Sequence, residues 1–213
     1  MRILALSDRV VEAIYSPQIV RLYGNVDLVV GCGDLPYYYL EYIATKLRAP
    51  VVYVHGNHDG PQYTADGRTL TYAEGCIAVD GRVQKVSGML IAGLGGSMRY
   101  RPRAIHQYTE AEMRLRVAQL IPHLVANRLR YGRYLDLLVT HAPPYGIHDG
   151  SDLPHRGFKA FLTLMRYARP RYLLHGHRHA YRRQAAEITV FEDTTVVNVY
   201  PLRLIEWEDD GKS

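Results

Sequence analysis

Five apolar runs in this chain each stop at a short polar string, and the order of those strings constrains the fold more than any other property. Ile3–Leu6 stops at Ser7-Asp8-Arg9-Val10, Asp27–Val30 at Gly31-Cys32-Gly33-Asp34, and Val51–Val54 leads into Gly56-Asn57-His58-Asp59. Later, Leu135–Val139 stops at Thr140-His141-Ala142-Pro143-Pro144, and Tyr172–Leu174 at His175-Gly176-His177-Arg178-His179. Short β-branched or leucine-rich runs bounded by Gly, Pro, Asn and Asp read as buried strands. Helical signals separate the first three. Ser16-Pro17 offers an N-cap hydroxyl with proline at the first helical position, Gly24 a stop, and a tyrosine-rich helix is expected from about Pro36 to Leu47. This strand–helix alternation argues for largely parallel, buried strands.

The middle of the chain changes rhythm. Asp80-Gly81, between Ile77–Val79 and Arg82–Val86, reads as a hairpin turn, and Met89–Ala92 continues as a strand into a glycine-rich stretch at Gly93–Gly96. Thr109 and Glu112 form a capping-box pattern for a helix running towards Arg130, with a bend or break expected at Pro122. A helix over Phe158–Arg169 restores the alternation. Strands at Ile188–Phe191 and Thr195–Val199 are expected to flank a turn at Asp193-Thr194, and Leu202–Trp207 adds a last one. The final residues, from 207 or 208 to 213, read as a frayed tail.

With 213 residues and no linker or repeat, a single domain over 1–213 is expected. The amino terminus reaches Ser7-Asp8 too soon for a secretory signal, and no apolar stretch approaches the roughly 20 residues of a membrane span. Two cysteines, Cys32 and Cys76, without metal-type spacing argue against a disulfide framework. The expected compartment is the cytoplasm, with no membrane partner. The net charge of +5 comes mostly from arginine and no run of five like charges occurs, so nucleic acid is not the expected main partner. A small phosphate-bearing substrate suits the same charge.

The strings themselves carry chemistry. Asp8, Asp34, Asn57, His141, His177 and His179 form a mixed carboxylate, amide and imidazole set delivered from strand ends, the kind of set that holds two divalent metals. In order and content the strings resemble the calcineurin-like metallophosphoesterase family, over most of the chain from Asp8 to His179. The resemblance implies an α/β fold, specifically a four-layer αββα sandwich of two packed mixed sheets flanked by helices. It implies a metal-dependent phosphoric ester hydrolase, on monoesters or diesters, in which a water between two metals loses its proton and attacks. Asp34 would bridge the ions, Asp8 and His179 would serve one, and Asn57, His141 and His177 the other. Mn²⁺, Fe and Zn²⁺ all suit such a set. The resemblance assigns His58 to the phosphate and leaving group, with Asp59 orienting it.

One position departs from the family pattern: Val10 stands where the first string usually carries a histidine. The Asp8/His179 site is therefore expected to be weak or empty unless water or Glu12 completes it. The competing reading is a single-metal or catalytically weak phosphate-ligand binding protein. The cleft rim is expected at Met98–Tyr108 and Tyr145–Arg156, with Arg9, Arg99 and Arg101 as candidate substrate contacts. The alternative for the arginines is pairing with surface carboxylates. The tyrosines Tyr37-Tyr38-Tyr39 are expected to pack in a helix rather than stack on a base.

Overall fold

The first strand shows how the layers arise. In β1 (Arg2–Leu6), Ile3 and Ala5 belong to one apolar cluster and Leu4 and Leu6 to another, because successive side chains of a strand point to opposite faces. The computed structural model describes residues 1–178 and 187–207. After β1 come α1 (Gln18–Tyr23), β2 (Leu28–Cys32), α2 (Tyr37–Lys46) and β3 (Val51–Val54). A short ribbon follows, β4 (Gln62–Tyr63) with β5 (Thr69–Leu70), then β6 (Ile77–Ala78), β7 (Val83–Val86) and β8 (Met89–Leu94). A second ribbon pairs β9 (Ser97–Met98) with β10 (Gln107–Tyr108) ahead of α3 (Glu110–Tyr131). The remainder is β11 (Leu137–Thr140), α4 (Lys159–Ala168), β12 (Tyr172–His175), β13 (Ile188–Phe191), β14 (Thr194–Asn198) and β15 (Leu202–Glu206).

Two mixed sheets result. One is five-stranded, ordered β15-β1-β2-β3-β6, with β15 antiparallel and the other pairs parallel. The other is six-stranded, ordered β13-β14-β12-β11-β8-β7, parallel within and antiparallel at both edges. Val30, Val52, Ile91, Val139, Leu174 and Val197 fill one cluster between the sheets. Val29, Val51 and Tyr53 pack under α1 and α2 with Ile19, Leu40 and Ile43. Leu138, Leu173 and Val196 pack under α3 and α4 with Met113, Leu120, Phe161 and Leu164. Those three clusters separate four layers, helices, sheet, sheet, helices, which is the expected αββα sandwich. Each wholly buried aliphatic side chain contributes roughly 1.5–3 kcal/mol of burial.

Several expectations change. Asp80-Gly81 is not a hairpin turn: β6 pairs in parallel with β3 in the first sheet, whereas β7 pairs with β8 in the second. The chain crosses between sheets there, and the Asp80 carboxylate accepts the Gly95 N–H at 2.8 Å while pairing with Arg116 and His55. The hairpin lies at Ser87-Gly88, whose φ values of 50° and 83° suit a two-residue turn between β7 and β8. Helix α3 has its capping box at Thr109/Glu112, yet it runs unbroken through Pro122. Pro122 and Ala118 four residues before it are both exposed, so the unpaired carbonyl faces water. Ser16 does not cap α1, since its hydroxyl donates to the Ala13 carbonyl at 3.0 Å. Trp207 is no tail residue: it is 8 % exposed and its N–H donates to the Met1 carbonyl at 2.7 Å. Tyr37 and Tyr39 are buried and Tyr38 is exposed, as a packed helix requires. Among the described residues no helix is long and apolar enough to cross a membrane.

Candidate metal centre

Parallel strands bring their carboxyl ends to one edge, so turns distant in sequence meet there. Asp8 follows β1, Asp34 follows β2, and Asn57 to Asp59 follow β3 in the first sheet; His141 and His177 follow β11 and β12 in the second. Asp8, Asp34 and His177 have φ of 62°, 54° and 65°, a left-handed conformation that costs a non-glycine residue on the order of 1–2 kcal/mol. Hydrogen bonds hold them there. Asp8 N–H donates to the Gly33 carbonyl at 3.1 Å, Asp34 N–H to Asp59 Oδ2 at 2.9 Å, and His177 N–H to Asp8 Oδ2 at 2.9 Å. Gly33 is required by close approach, because a Cβ would lie 2.6 Å from both the Gly56 nitrogen and His141 Nδ1. Gly176 is required likewise, its virtual Cβ being 2.5 Å from Asp8 Oδ2.

Ligand atoms of Asp34, His141 and His177 all lie within 4.8 Å of one another. His141 is wholly buried, with Nδ1 2.8 Å from the Cys32 carbonyl and Nε2 3.0 Å from Asn57 Oδ1 and 3.4 Å from Asp34 Oδ2. A carbonyl only accepts, so Nδ1 carries hydrogen and the Nε2 lone pair faces two oxygens. Three such atoms are stable together only with a proton or a cation among them. Without a cation the proton stays: burial opposes it, but the Asp34 charge and hydrogen bond raise His141 to about 10. Asp34 correspondingly falls well below the usual carboxylate range, despite burial, through His141. His177 is held differently. Its Nε2 lies 2.8 Å from the Pro154 carbonyl, so Nε2 is the donor and Nδ1 is left as the ligand atom. Burial and then the neighbouring His141 lower it to about 4, which keeps the ring neutral. Ring nitrogens anchored on carbonyls, with the other nitrogen turned inward, are how metal-ligating histidines are oriented. Asp34, Asn57, His141 and His177 therefore fit a divalent ion. Asp8 lines the same cleft, and His179 lies outside the described residues.

The cleft measures about 360 Å³ and is lined by Asp8, Asp34, Pro36, His58, Asp59, Gln62, His155 and His177. His58 is exposed into it and its N–H donates to Asp34 Oδ1 at 2.8 Å. Asp59 does not orient the His58 ring as expected. Its carboxylate accepts the N–H groups of Gly56 at 2.7 Å and Asp34 at 2.9 Å, stapling two ligand turns together. Burial raises it to about 6. The expected arginines stand aside from the cleft lining. Arg99 donates to the Gln107 carbonyl and to Glu112, Arg101 is exposed beside the Tyr100 ring, and Arg9 is exposed. From the 97–108 stretch it is Tyr100 that meets the site, its hydroxyl accepting from Asn57 Nδ2 at 3.3 Å. Val10 packs against the apolar cluster beneath α1 and α2, and Glu12 is exposed and outside the lining. Sequence reasoning missed Tyr100, Gln62 and His155. The rim stretches contain the first and third, but no spacing singles them out.

A two-sheet sandwich with carboxylate, amide and imidazole groups converging at its strand ends defines a class of metal-binding α/β proteins. Residues 1–181 match the calcineurin-like phosphoesterases, and the chain belongs to that family. It is a family of metal-dependent phosphoester hydrolases that includes inactive members. No curated protein matches the chain. Among solved structures, TT1561 of Thermus thermophilus is similar with a TM-score of 0.62 at 18% identity, covering 93% of this chain and 88% of that one. GAP50, described as the anchor in the inner membrane complex of Plasmodium, is similar with a TM-score of 0.50 at 15% identity, over 93% and 70% of the two chains. These likenesses concern the fold.

Proposed function

We propose that the protein is a metal-dependent phosphoric ester hydrolase acting on a small monoester or diester. The observation that carries the proposal is the convergence of His141 Nε2 with Asp34 Oδ2 and Asn57 Oδ1 beside a cleft that also contains His58. Divalent ions held by Asp34, Asn57, His141 and His177, beside Asp8 in the same cleft, would supply neutralisation of phosphate oxygens and a water acidified towards neutral pH. The chain's own groups do the rest. Asp34 shares its carboxylate between the ligand atoms and the His58 N–H, so the leaving-group histidine is tied to the ligand turn. His58, exposed in the cleft, stabilises charge on the departing oxygen or protonates it. Asp59 keeps the two turns in register.

The second reading is a phosphate-ligand binding protein with one ion and little turnover. Val10 favours it, because its side chain packs, partly buried, against an apolar cluster and offers the Asp8 side no ligand atom. Both readings place the protein with soluble phosphate esters in the cytoplasm, and Mn²⁺ is the first ion to try. Purified protein should be assayed with p-nitrophenyl phosphate and bis-p-nitrophenyl phosphate after Mn²⁺, Fe²⁺ or Zn²⁺ loading, with elemental analysis of bound metal. Turnover abolished by chelation supports the hydrolase. One bound ion with no turnover on either ester supports the binding protein.

A further inference from the structure

Each ligand side chain has to turn one particular atom inwards, and both imidazoles do so by resting on a carbonyl. His141 rests on Cys32. His177 rests on Pro154, which belongs to the loop between β11 and α4. That loop is closed at its base, where Tyr145 N–H donates to the Phe158 carbonyl at 3.2 Å and Phe158 N–H to the Pro143 carbonyl at 3.2 Å. Asn57 faces a harder problem. Its amide has an oxygen that can hold a cation and a nitrogen that cannot, and a half-turn about χ2 exchanges them at little steric cost. Only a partner on the outer side can tell the two orientations apart. With Oδ1 3.0 Å from His141 Nε2, Asn57 Nδ2 lies 3.3 Å from the Tyr100 hydroxyl. The amide nitrogen only donates, so the phenolic oxygen is the acceptor.

Tyr100 is itself held in place by the ribbon of β9 and β10. Gln107 is 3 % exposed, and its side-chain oxygen accepts the Tyr100 N–H at 3.2 Å and the Arg101 N–H at 3.1 Å. Its backbone carbonyl accepts Arg99 Nη2 at 3.0 Å, and the same nitrogen donates to Glu112 Oε1 at 3.0 Å within the capping box of α3. The ribbon is closed on either side by Ser97 N–H to the His106 carbonyl at 3.0 Å and Arg99 N–H to the Tyr108 carbonyl at 2.9 Å. The backbone that presents the phenol is therefore bonded residue by residue to the opposite strand and to the start of a long helix. We infer that Tyr100 is a positioning residue: by accepting the hydrogen bond of Asn57 Nδ2 it fixes the amide with Oδ1 towards the ion. The inference rests on the metal-site reading and adds to it that the β9–β10 ribbon, through this one contact, sets how tightly the ion is held.

The test is a calorimetric titration of the metal-free protein with Mn²⁺, or with Zn²⁺ should Mn²⁺ not bind, so that it does not depend on turnover. Wild type, Tyr100→Phe, Asn57→Asp and the double variant are compared. Tyr100→Phe keeps the ring and removes only the acceptor, so the melting temperature of the metal-free protein should not change. Its Kd for the ion is expected to rise about 10-fold, the lower end of what losing an outer partner of a ligand costs. Asn57→Asp supplies the control. A carboxylate presents an oxygen whichever way it turns, so in that background Tyr100→Phe should change Kd by about twofold or less. Wild-type affinity in Tyr100→Phe overturns the inference. So does an equal loss in both backgrounds, which would mean that the phenol serves the site by packing rather than by orienting the amide. In either case the metal-site reading stands. A wild type that takes up neither ion overturns that reading and the inference with it.

Discussion

The two sheets contribute different chemistry to the shared edge. From the first come the oxygens, Asp8, Asp34 and Asn57, on turns that follow β1, β2 and β3; from the second come the described imidazoles, His141 and His177. The oxygen side is held by hydrogen bonds among its own turns, Asp59 receiving Gly56 and Asp34, and Asp34 receiving His58. The nitrogen side depends on carbonyls from elsewhere, Cys32 of the first sheet for His141 and Pro154 of the loop for His177. Neither half is a site alone. A second polar clamp also crosses the seam, since Asp80 at the crossover pairs with His55 after β3 and with Arg116 on α3.

Asp34→Ala removes the oxygen that faces both sides and should do the most damage, returning hydrolysis to background and emptying the site by elemental analysis. Retained metal would show that the imidazole side suffices and would break the division described above. His58→Ala sharpens it from the cleft side. Here kcat should fall by about 10²–10⁴-fold with metal content intact, and less for p-nitrophenyl esters, whose leaving group needs little help. An equal loss on good and poor leaving groups would reassign His58 to phosphate binding.

Asp80→Ala tests the seam without touching the ligands. Breaking a buried ion pair from one side costs about 3–5 kcal/mol, to be read from denaturant unfolding at pH 7. Burial would raise the Asp80 carboxyl, but His55, Arg116 and the Gly95 N–H hold it at about 2 in the folded chain. Its stabilisation is thus present above the unfolded carboxylate value and is lost as pH falls through about 2, so wild type and variant should converge only in strong acid. A constant difference down to pH 2 would mean that packing, not charge, is what Asp80 supplies. The smallest effect is expected from Val10→His. The family's histidine type would enter an apolar cluster, so Mn²⁺ stoichiometry should stay unchanged while stability drops by roughly 1 kcal/mol or more. A gain of one tightly bound ion would show instead that the first turn can rotate its side chain into the cleft.

The oxygens and imidazoles are legible in the sequence because each sits at a strand end in a string whose neighbours have local reasons to be there. Gly33 permits the approach of His141, and Gly176 that of Asp8. The helix over Lys159–Ala168 and the Thr109 capping box are equally local and equally readable. What escapes such a reading depends on contacts across long stretches of chain. Asp80-Gly81 has the composition of a tight turn, yet Gly95 and Arg116, 15 and 36 residues on from Asp80, decide that it changes sheet. The sequence leaves Arg99 open between a substrate contact and a partner for a surface carboxylate, and only the fold decides for the second, by bringing Gln107 and Glu112 to its guanidinium. His155 carries no motif because its place in the cleft follows from how a closed loop lies over His177.

The pairing of β15 with β1 places the last described strand against the first, with Leu6 opposite Leu202 and Arg2 opposite Glu206. On the ribosome, then, β1 waits with one bare edge until Leu202 and its neighbours have been made. At about 5–20 residues per second that interval is roughly ten to forty seconds. Through that time β1 presents an apolar strand with one row of unpaired backbone groups, so a nascent chain stalled before Leu202 is exposed to edge-to-edge pairing that the finished sheet prevents.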